Sequence, residues 1–490
     1  LHDLLAGLDA EFEVRGDRAV EIRSLEHDSR VVQPGALFCC IPGEQADGHA
    51  FAGDAVAAGA VACLVERWLD VPVVQVRVAS VRTAVGPLCA TFFGRPADAM
   101  RVLGVTGTNG KTTTTYLLEA IARGTGERAA IVGTTGVRVG DTELPVAHTT
   151  PEATELQALL ARLRDDGVAT VAMEVSSHAL DQHRVDGTHF AAVAFTNLSR
   201  DHLDYHRSFA AYLDAKARLF DGSFSRRAAV GIDGEAGRVI ASRARAAGVD
   251  VVTYALDAGA DADVTAREIE LAPDGARYTI ADRRGENRYT LRTALVGRFN
   301  VANALAAYAT ATQAGFAAAD ACDALTSPIV VPGRMESIDR GQPFTVIVDY
   351  AHTPDALSAV LAAARDLTEP GGRLLVVYGC GGDRDRGKRP EMGAVAAHAA
   401  DRAFLTSDNP RSEDPAAIVH DVLAGVADDA PTPVVELDRR AAIEAALADA
   451  RPGDVVVIAG KGHESGQTAL GRTIPFDDRV VAREALEARV

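Results

Sequence analysis

Gly104-Val105-Thr106-Gly107-Thr108-Asn109-Gly110-Lys111-Thr112-Thr113 follows Arg101-Val102-Leu103 and precedes Thr114-Thr115-Tyr116-Leu117-Leu118-Glu119-Ala120-Ile121. The apolar residues before it read as the end of a strand, and the run after it as a helix. A glycine-rich turn between strand and helix lets backbone N–H groups wrap a phosphate chain, and the helix N-terminus adds positive potential. Lys111 then reaches the terminal phosphates and the Thr112 hydroxyl binds magnesium, with Gly107, Thr108, Asn109, Gly110 and Thr113 completing the cradle. The usual phosphate loop has glycine where this chain has Val105; here glycines fall at 104, 107 and 110. The expectation is a nucleoside triphosphate site, set against a sharp turn with no ligand.

Outward from this turn, residues 102–105, 129–132, 168–175, 192–195 and 228–232 read as short apolar strands alternating with amphipathic helices. That pattern predicts a parallel sheet covered on both faces. The polar segment 257–295 alternates instead at 264–269 and 276–280, which predicts antiparallel strands in the same unit. Upstream, 36–41 and 62–65 read as strands and 54–60 as a helix, with Gly94-Arg95-Pro96 as a linker. Beyond Pro332-Gly333, strands are expected at 344–348, 374–378, 403–406 and 455–458. A chain of 490 residues exceeds one ordinary core. The expected organisation is α/β in three domains, at residues 1–95, 96–331 and 332–490.

A formal charge of −18 argues against nonspecific nucleic-acid binding, which needs a basic footprint. It leaves anionic substrates open, since these need only a local basic site. The six cysteines, at 39, 40, 63, 89, 322 and 380, form no Cys-x-x-Cys pair. Zinc is therefore not expected, and a reducing cytoplasm is. No leader and no long apolar run is evident, so neither secretion nor membrane insertion is expected. The chain opens Leu1-His2-Asp3 without methionine, and a few residues are expected to precede it.

Met173-Glu174-Val175-Ser176-Ser177-His178 follows a strand, at the sheet edge where open α/β sheets bind ligands. Glu174 is a candidate to complete a magnesium site begun by Thr112, since hard oxygens suit that ion. Thr196-Asn197-Leu198-Ser199-Arg200-Asp201-His202-Leu203-Asp204-Tyr205 is a dense polar run after another strand, more than a connector requires. Lys216, in a helical pattern, reads by composition alone as a surface lysine. Asn300 reads either as an adenine contact or as a helix N-cap. Asp349 reads either as a ribose ligand or as a helix-start signal ahead of Pro354.

Gly-Thr-Asn-Gly-Lys-Thr at 107–112, the two strand-end runs and Gln182-His183-Arg184 together resemble the Mur ligase superfamily, and in it the branch that adds the third amino acid of the peptidoglycan stem peptide. The resemblance covers essentially the whole chain. It implies a central P-loop parallel-sheet ATPase domain, a C-terminal Rossmann-like domain and an N-terminal domain holding a uridine nucleotide, with Ser29, Gln45 and Ala46 at matching positions. It implies that Thr149, Thr150, Ser176, Gln182 and Arg184 contact the UDP-sugar dipeptide; His148 stands where the family often has asparagine. It implies that Lys216 carries a carbon dioxide-derived carbamate near a second magnesium, with His202 as a ligand of that ion. Arg334 matches an arginine that reaches the ATP phosphates.

Three loops of the third domain should converge at strand carboxyl ends: Gly379–Arg386, Thr406–Arg411 and Gly460–Glu464. Arg384, Asp408, Asn409, Pro410, Arg411, Gly460 and Glu464 are the candidate contacts there. Arginines, an asparagine and carboxylates suit a zwitterion with ammonium and carboxylate at both ends, such as meso-diaminopimelate. The expected activity is ATP-dependent joining of meso-diaminopimelate to UDP-N-acetylmuramoyl-L-alanyl-D-glutamate by a monomeric enzyme. The alternatives are a sister ligase using L-lysine, a folate polyglutamate synthetase, a specialised peptide pathway, or a nucleotide-binding scaffold without turnover.

Overall fold

The computed structural model describes residues 1–8, 10–43, 46–144, 148–256, 259–272 and 274–488. Three main sheets, each with its own apolar core, succeed one another along the chain. The first orders its five strands Phe12–Arg15, Val74–Val78, Ala62–Val65, Ala36–Cys39 and Ser24–Glu26. The last four run parallel, and Phe12–Arg15 closes the edge antiparallel to Val74–Val78. The helix expected at 54–60 spans Ala52–Ala57.

The second sheet has eleven strands. Arg101–Thr106 lies in its middle, parallel to Thr170–Glu174 on one side and Ala192–Phe195 on the other. These strands are apolar almost throughout because both faces are covered. On one face Lys111–Gly124 and Arg298–Gln313 pack; the other face is covered by Ala153–Asp165 and Glu235–Ala246. Each fully buried Val or Leu here contributes about 1.5–3 kcal/mol. The expected antiparallel strands form Val264–Ala272, Gly275–Asp282 and Asn287–Thr293, which extend the same sheet. At the opposite edge Gly136–Val139 and Thr142–Leu144 add antiparallel strands that the periodicity did not predict.

The third sheet orders Glu336–Ser337, Thr345–Asp349, Val455–Ala459, Leu374–Tyr378, Arg402–Leu405 and Val434–Val435. Its pairings are parallel except at Glu336–Ser337. Parallel order puts the loops after Asp349, Ala459, Tyr378 and Leu405 on one edge. A separate hairpin, Gly466–Ala469 with Arg472–Pro475, projects beside them. Among the described residues no helix is long and apolar enough to cross a membrane.

Candidate functional site

The carboxyl ends of Arg101–Thr106, Thr170–Glu174 and Ala192–Phe195 open onto a chamber of about 1150 Å³, which is closed from the other side by Arg334, Asp349, His352 and Arg384. The phosphate-loop turn lies on its floor. Gly107 has φ +148 and Gly110 has φ +87, and a Cβ would strike Thr196 Oγ1 at the first and Asn303 Oδ1 at the second. Both positions therefore need glycine. The turn is stapled by the following strand-end loop. Asn109 N donates to Asn197 Oδ1 at 2.9 Å, Thr196 Oγ1 donates to the Asn109 carbonyl at 2.6 Å, and Ser199 N donates to Thr108 Oγ1 at 3.0 Å. The polar run at 196–204 thus begins as a brace for the turn.

Thr112 Oγ1 donates to Glu174 Oε1 at 3.0 Å. Glu174 also accepts from Thr134 N at 2.9 Å and Thr134 Oγ1 at 3.0 Å. A hydroxyl and a carboxylate meeting at the edge of a phosphate-binding turn are hard oxygens of the kind that bind magnesium with phosphates and water. No cluster of three or more His, Cys, Asp or Glu side chains able to hold a metal occurs among the described residues, so these residues fit an ion completed by phosphate and water rather than an all-protein cage. Arg334 Nη2 donates to Thr112 Oγ1 at 3.0 Å, while its guanidinium stacks 4.3 Å over Tyr350. Its Nε is buried with no hydrogen-bond partner among the described residues, a donor suited to an incoming anion.

Lys216 overturns its composition-only reading as a surface lysine: it is 1% exposed. Its Nζ donates to the Gly107 carbonyl at 2.8 Å and lies 4.5 Å over the Tyr212 ring. Burial, together with the nearby Lys111 ammonium, holds its pKa well below the usual lysine range. Lys111 donates to the Gly107 and Thr108 carbonyls, both at 2.9 Å, and burial lowers its pKa as well. Burial also pushes His178 down to about 4 and His202 to about 2, so both imidazoles are neutral. Their rings meet edge-on at 4.7 Å. His202 has φ 56, and Met335 at 47, Asp383 at 52 and Arg411 at 54 share its left-handed backbone region. Left-handed non-glycine residues are uncommon, and with His183 at 58 and Arg207 at 65 several of them fall on the loops that surround the chamber and its neighbouring cluster.

Asn300 lies one turn behind the wall. It is 2% exposed, donates through Nδ2 to the Val296 carbonyl at 2.8 Å and accepts from Asn303 at 3.0 Å. Of the two, Asn303 lines the chamber. Nor is Asn300 an N-cap: that position is Gly297. Asp349 lines the chamber, with its oxygens accepting from Met335 N at 2.7 Å and Ala351 N at 2.8 Å. The cap of the following helix is Thr353 instead.

Thr149, Thr150, Ser176, Gln182, Arg184 and His148 all line the same chamber. Arg184 forks onto Gln182 Oε1, at 2.7 Å through Nη2, and pairs with Glu152 at 3.0 Å. Ser29 and Ala46 lie apart, Ser29 opening the 3-10 helix Ser29–Val31 after the strand Ser24–Glu26 and Ala46 in the loop after Ala36–Cys39 of the first sheet. Gln45 falls outside the described residues. Arg82 bridges the two regions, donating to the Pro42 carbonyl at 2.8 Å and the Gln182 carbonyl at 3.2 Å.

In the third sheet Arg384 reaches the chamber, whereas the buried Asp408 and Asn409 and the half-buried Glu464 form an adjoining cluster around the buried Lys461. Lys461 was not among the residues expected from sequence. Its Nζ donates to Glu464 Oε2 at 2.8 Å and Asn409 Oδ1 at 3.2 Å, and lies 3.8 Å from Asp408. Burial raises the Asp408 pKa; burial would raise Glu464 too, but Lys461 holds it below the usual range. Gly460 abuts Asp408 and the buried Arg439, and Pro410 is buried at the foot of the Arg411 loop. Arg411 Nη1 donates to the Gly382 carbonyl at 2.6 Å. Sequence reasoning also missed Asp201 and Lys388, 3.5 Å apart and both nearly buried, with His352 3.6 Å from the same carboxylate. Burial would raise the Asp201 pKa, yet Lys388 and His352 hold it well below the carboxylate range.

A phosphate-loop turn on a parallel sheet, facing a second α/β unit across a polar chamber, defines a multidomain α/β protein of the phosphate-loop class. Family models match in three blocks: "Mur ligase family, catalytic domain" at residues 21–88, "Mur ligase middle domain" at 105–311 and "Mur ligase, glutamate ligase domain" at 333–462. The chain belongs to the Mur ligase family. It is 45% identical over 480 residues to the UDP-N-acetylmuramoyl-L-alanyl-D-glutamate--2,6-diaminopimelate ligase of Streptomyces avermitilis, covering 96% of this chain and 94% of that protein. The protein of the same name from Geobacillus thermodenitrificans is 44% identical, covering 100% and 99%. A solved structure of a ligase of that name is 36% identical with a TM-score of 0.68, covering 96% of this chain and 95% of that one.

Proposed function

We propose that this protein is an ATP-dependent amide ligase that adds meso-diaminopimelate to the D-glutamate of UDP-N-acetylmuramoyl-L-alanyl-D-glutamate, in peptidoglycan precursor synthesis. The observation that carries the reading is one chamber in which Lys111, the Thr112–Glu174 pair and Arg334 face Arg384. Full-length relatives named for that reaction support it. Residues 1–95 hold the uridine nucleotide through Ser29, Gln45 and Ala46, 96–331 hold ATP, and 332–490 hold the amino acid. The protein acts as a monomer in the cytoplasm.

The substrate's D-glutamate side-chain carboxylate attacks the γ-phosphorus of ATP, giving an acyl phosphate and ADP. Lys111, Arg334 and the N–H groups of the turn at 107–113 stabilise the charge on the transferring phosphoryl group. Asn303, braced by Asn300, faces the nucleotide base, and Asp349 the ribose. The diaminopimelate amine then attacks the acyl carbon, and phosphate leaves from a tetrahedral intermediate. Thr149, Thr150, Ser176, Gln182 and Arg184 hold the dipeptide end of the nucleotide substrate. Thr112 and Glu174 would hold a magnesium ion, and His202 with carbamylated Lys216 a second; such ions neutralise phosphate charge. Lys216 suits carbamylation because a buried lysine with a lowered pKa presents the neutral amine that adds carbon dioxide. No side-chain nucleophile is required, and enclosure excludes the water that would hydrolyse the acyl phosphate.

The test is phosphate release and amide formation with the nucleotide dipeptide, ATP and a panel of amino acids. Amide formation with diaminopimelate is expected. Turnover with L-lysine in its place would favour the sister ligase, and no turnover with any member would favour the scaffold.

A further inference from the structure

Resting on the ligase reading above, we propose that Arg200 is a positioning residue for amino-acid transfer. Its guanidinium is seated over Gly387 between Asp385 and Glu391, and so holds the Arg384 loop against the phosphate-loop side of the chamber. Nε lies 3.2 Å from Asp385 Oδ2 and Nη1 lies 2.8 Å from Glu391 Oε1. Asp385 is itself fixed, with its other oxygen accepting from Gly387 N at 2.9 Å. Gly387 has φ −66 and ψ −22, a conformation any residue adopts. A Cβ there would meet Arg200 Nη2, the movable end of that side chain, so an alanine at this position would push the guanidinium out of its seat.

The neighbours of this seat, on both segments that form it, belong to the candidate site. Ser199 bonds the phosphate-loop residue Thr108, and Asp201 forms the buried pair with Lys388. Arg384 immediately precedes Asp385. An isolated exposed ion pair adds little. A planar guanidinium shared by two carboxylates beside a buried pair fixes geometry as well as charge.

That geometry governs how the acyl phosphate partitions. Amine attack forms the C–N bond, breaks the acyl C–O bond and releases phosphate and a proton. Water attack breaks the same C–O bond, returns the carboxylate and releases phosphate and a proton with no amide formed. A loop that no longer holds the amine in line favours water.

Arg200→Ala, Gly387→Ala and the double variant test this, with phosphate and amide measured together and KM determined for diaminopimelate and for ATP. Gly387→Ala removes the seat without altering any charge, and carries the test if Arg200→Ala fails to fold. Each single variant should raise KM for diaminopimelate about tenfold, leave KM for ATP within about twofold, and release more phosphate than amide. The double variant should be no worse than the worse single, because both empty one seat. Wild-type coupling and KM in Arg200→Ala, a silent Gly387→Ala, or additive effects would overturn the proposal while the ligase reading stands. A folded wild-type enzyme that makes no amide from these substrates overturns the ligase reading and this proposal with it.

Discussion

Lys216 Nζ donates to the Gly107 carbonyl at 2.8 Å, joining the helix Phe209–Ala217 to the phosphate-binding turn. The amine therefore reports directly on the backbone that cradles phosphate, and Lys111 lies close enough to depress its pKa. Lys216→Ala should lower kcat by about 10²–10³-fold, the cost of removing one electrostatic group at a reacting centre. Short-chain carboxylic acids supplied in solution should restore part of the activity of the variant, since the void would admit a carboxylate. Full activity in folded Lys216→Ala would remove the lysine from the mechanism; electron density of the wild type would read the carbamate itself.

Lys111 lines the chamber, bonds to the turn and supports no apolar core. Lys111→Ala should cut phosphate release by about 10²–10³-fold while leaving the thermal midpoint within a few degrees. The two backbone acceptors it leaves, on Gly107 and Thr108, can take water in the substrate-free variant. Wild-type turnover from folded Lys111→Ala would sink the ATP-site assignment.

Local signals made the phosphate loop and the strand-end acids legible. Gly107, Gly110 and Lys111 lie within five residues, and the Glu174 carboxylate is placed by strand alternation and parallel order. The burial of Lys216 was not legible in its own helix, because it arises when that helix docks on a turn 109 residues away. Asp201 and Lys388 are separated by 187 residues, and no local pattern pairs them. Asn300 and Asn303 share one helix face three residues apart; which of them meets the chamber depends on the rotation of the helix against the sheet. Thr353, not Asp349, caps its helix because it immediately precedes Pro354 and its hydroxyl accepts from Ala356 N, while the Asp349 carboxylate is taken by Met335 N and Ala351 N. Lys461 escaped because charged residues are almost never fully buried unless paired, and its partners come from two loops.

Acid should destabilise the fold through its buried histidines. Burial holds His178 and His463 at about 4, below the 6.5 of an exposed imidazole. As pH falls below about 6.5 the unfolded chain takes up these protons first, so stability decreases with falling pH until the folded groups titrate near 4. The slope can approach about 1.4 kcal/mol per pH unit for each group. Thermal midpoints measured at about pH 7 and about pH 5 should therefore differ, and His463→Gln should reduce the difference. A wild-type difference that His463→Gln leaves unchanged would remove His463 from this effect.

Specificity should rest on Arg411. Its backbone is held at φ 54 by the neighbouring hairpin, with Arg411 N donating to the Thr468 carbonyl at 3.0 Å and Leu470 N to the Arg411 carbonyl at 2.5 Å. The guanidinium lies beside Gly381, close to the Arg384 side chain, so the two arginines can meet one distal carboxylate. Asp408 and Asn409 precede it on the same loop and are expected to meet the distal ammonium, beside Lys461. L-Lysine brings no carboxylate to meet the Arg411 guanidinium, which would keep only its bond to the Gly382 carbonyl. Wild-type kcat/KM for lysine should therefore fall about a thousandfold or more below that for diaminopimelate. Arg411→Ala should lose diaminopimelate activity far more than affinity for ATP or the nucleotide substrate, and the gap between the two amino acids should narrow. Competition assays with wild type and variant measure both quantities in one vessel. Comparable use of lysine by the wild type, or unchanged diaminopimelate kinetics in Arg411→Ala, would remove Arg411 from the specificity site even with the ligase activity intact.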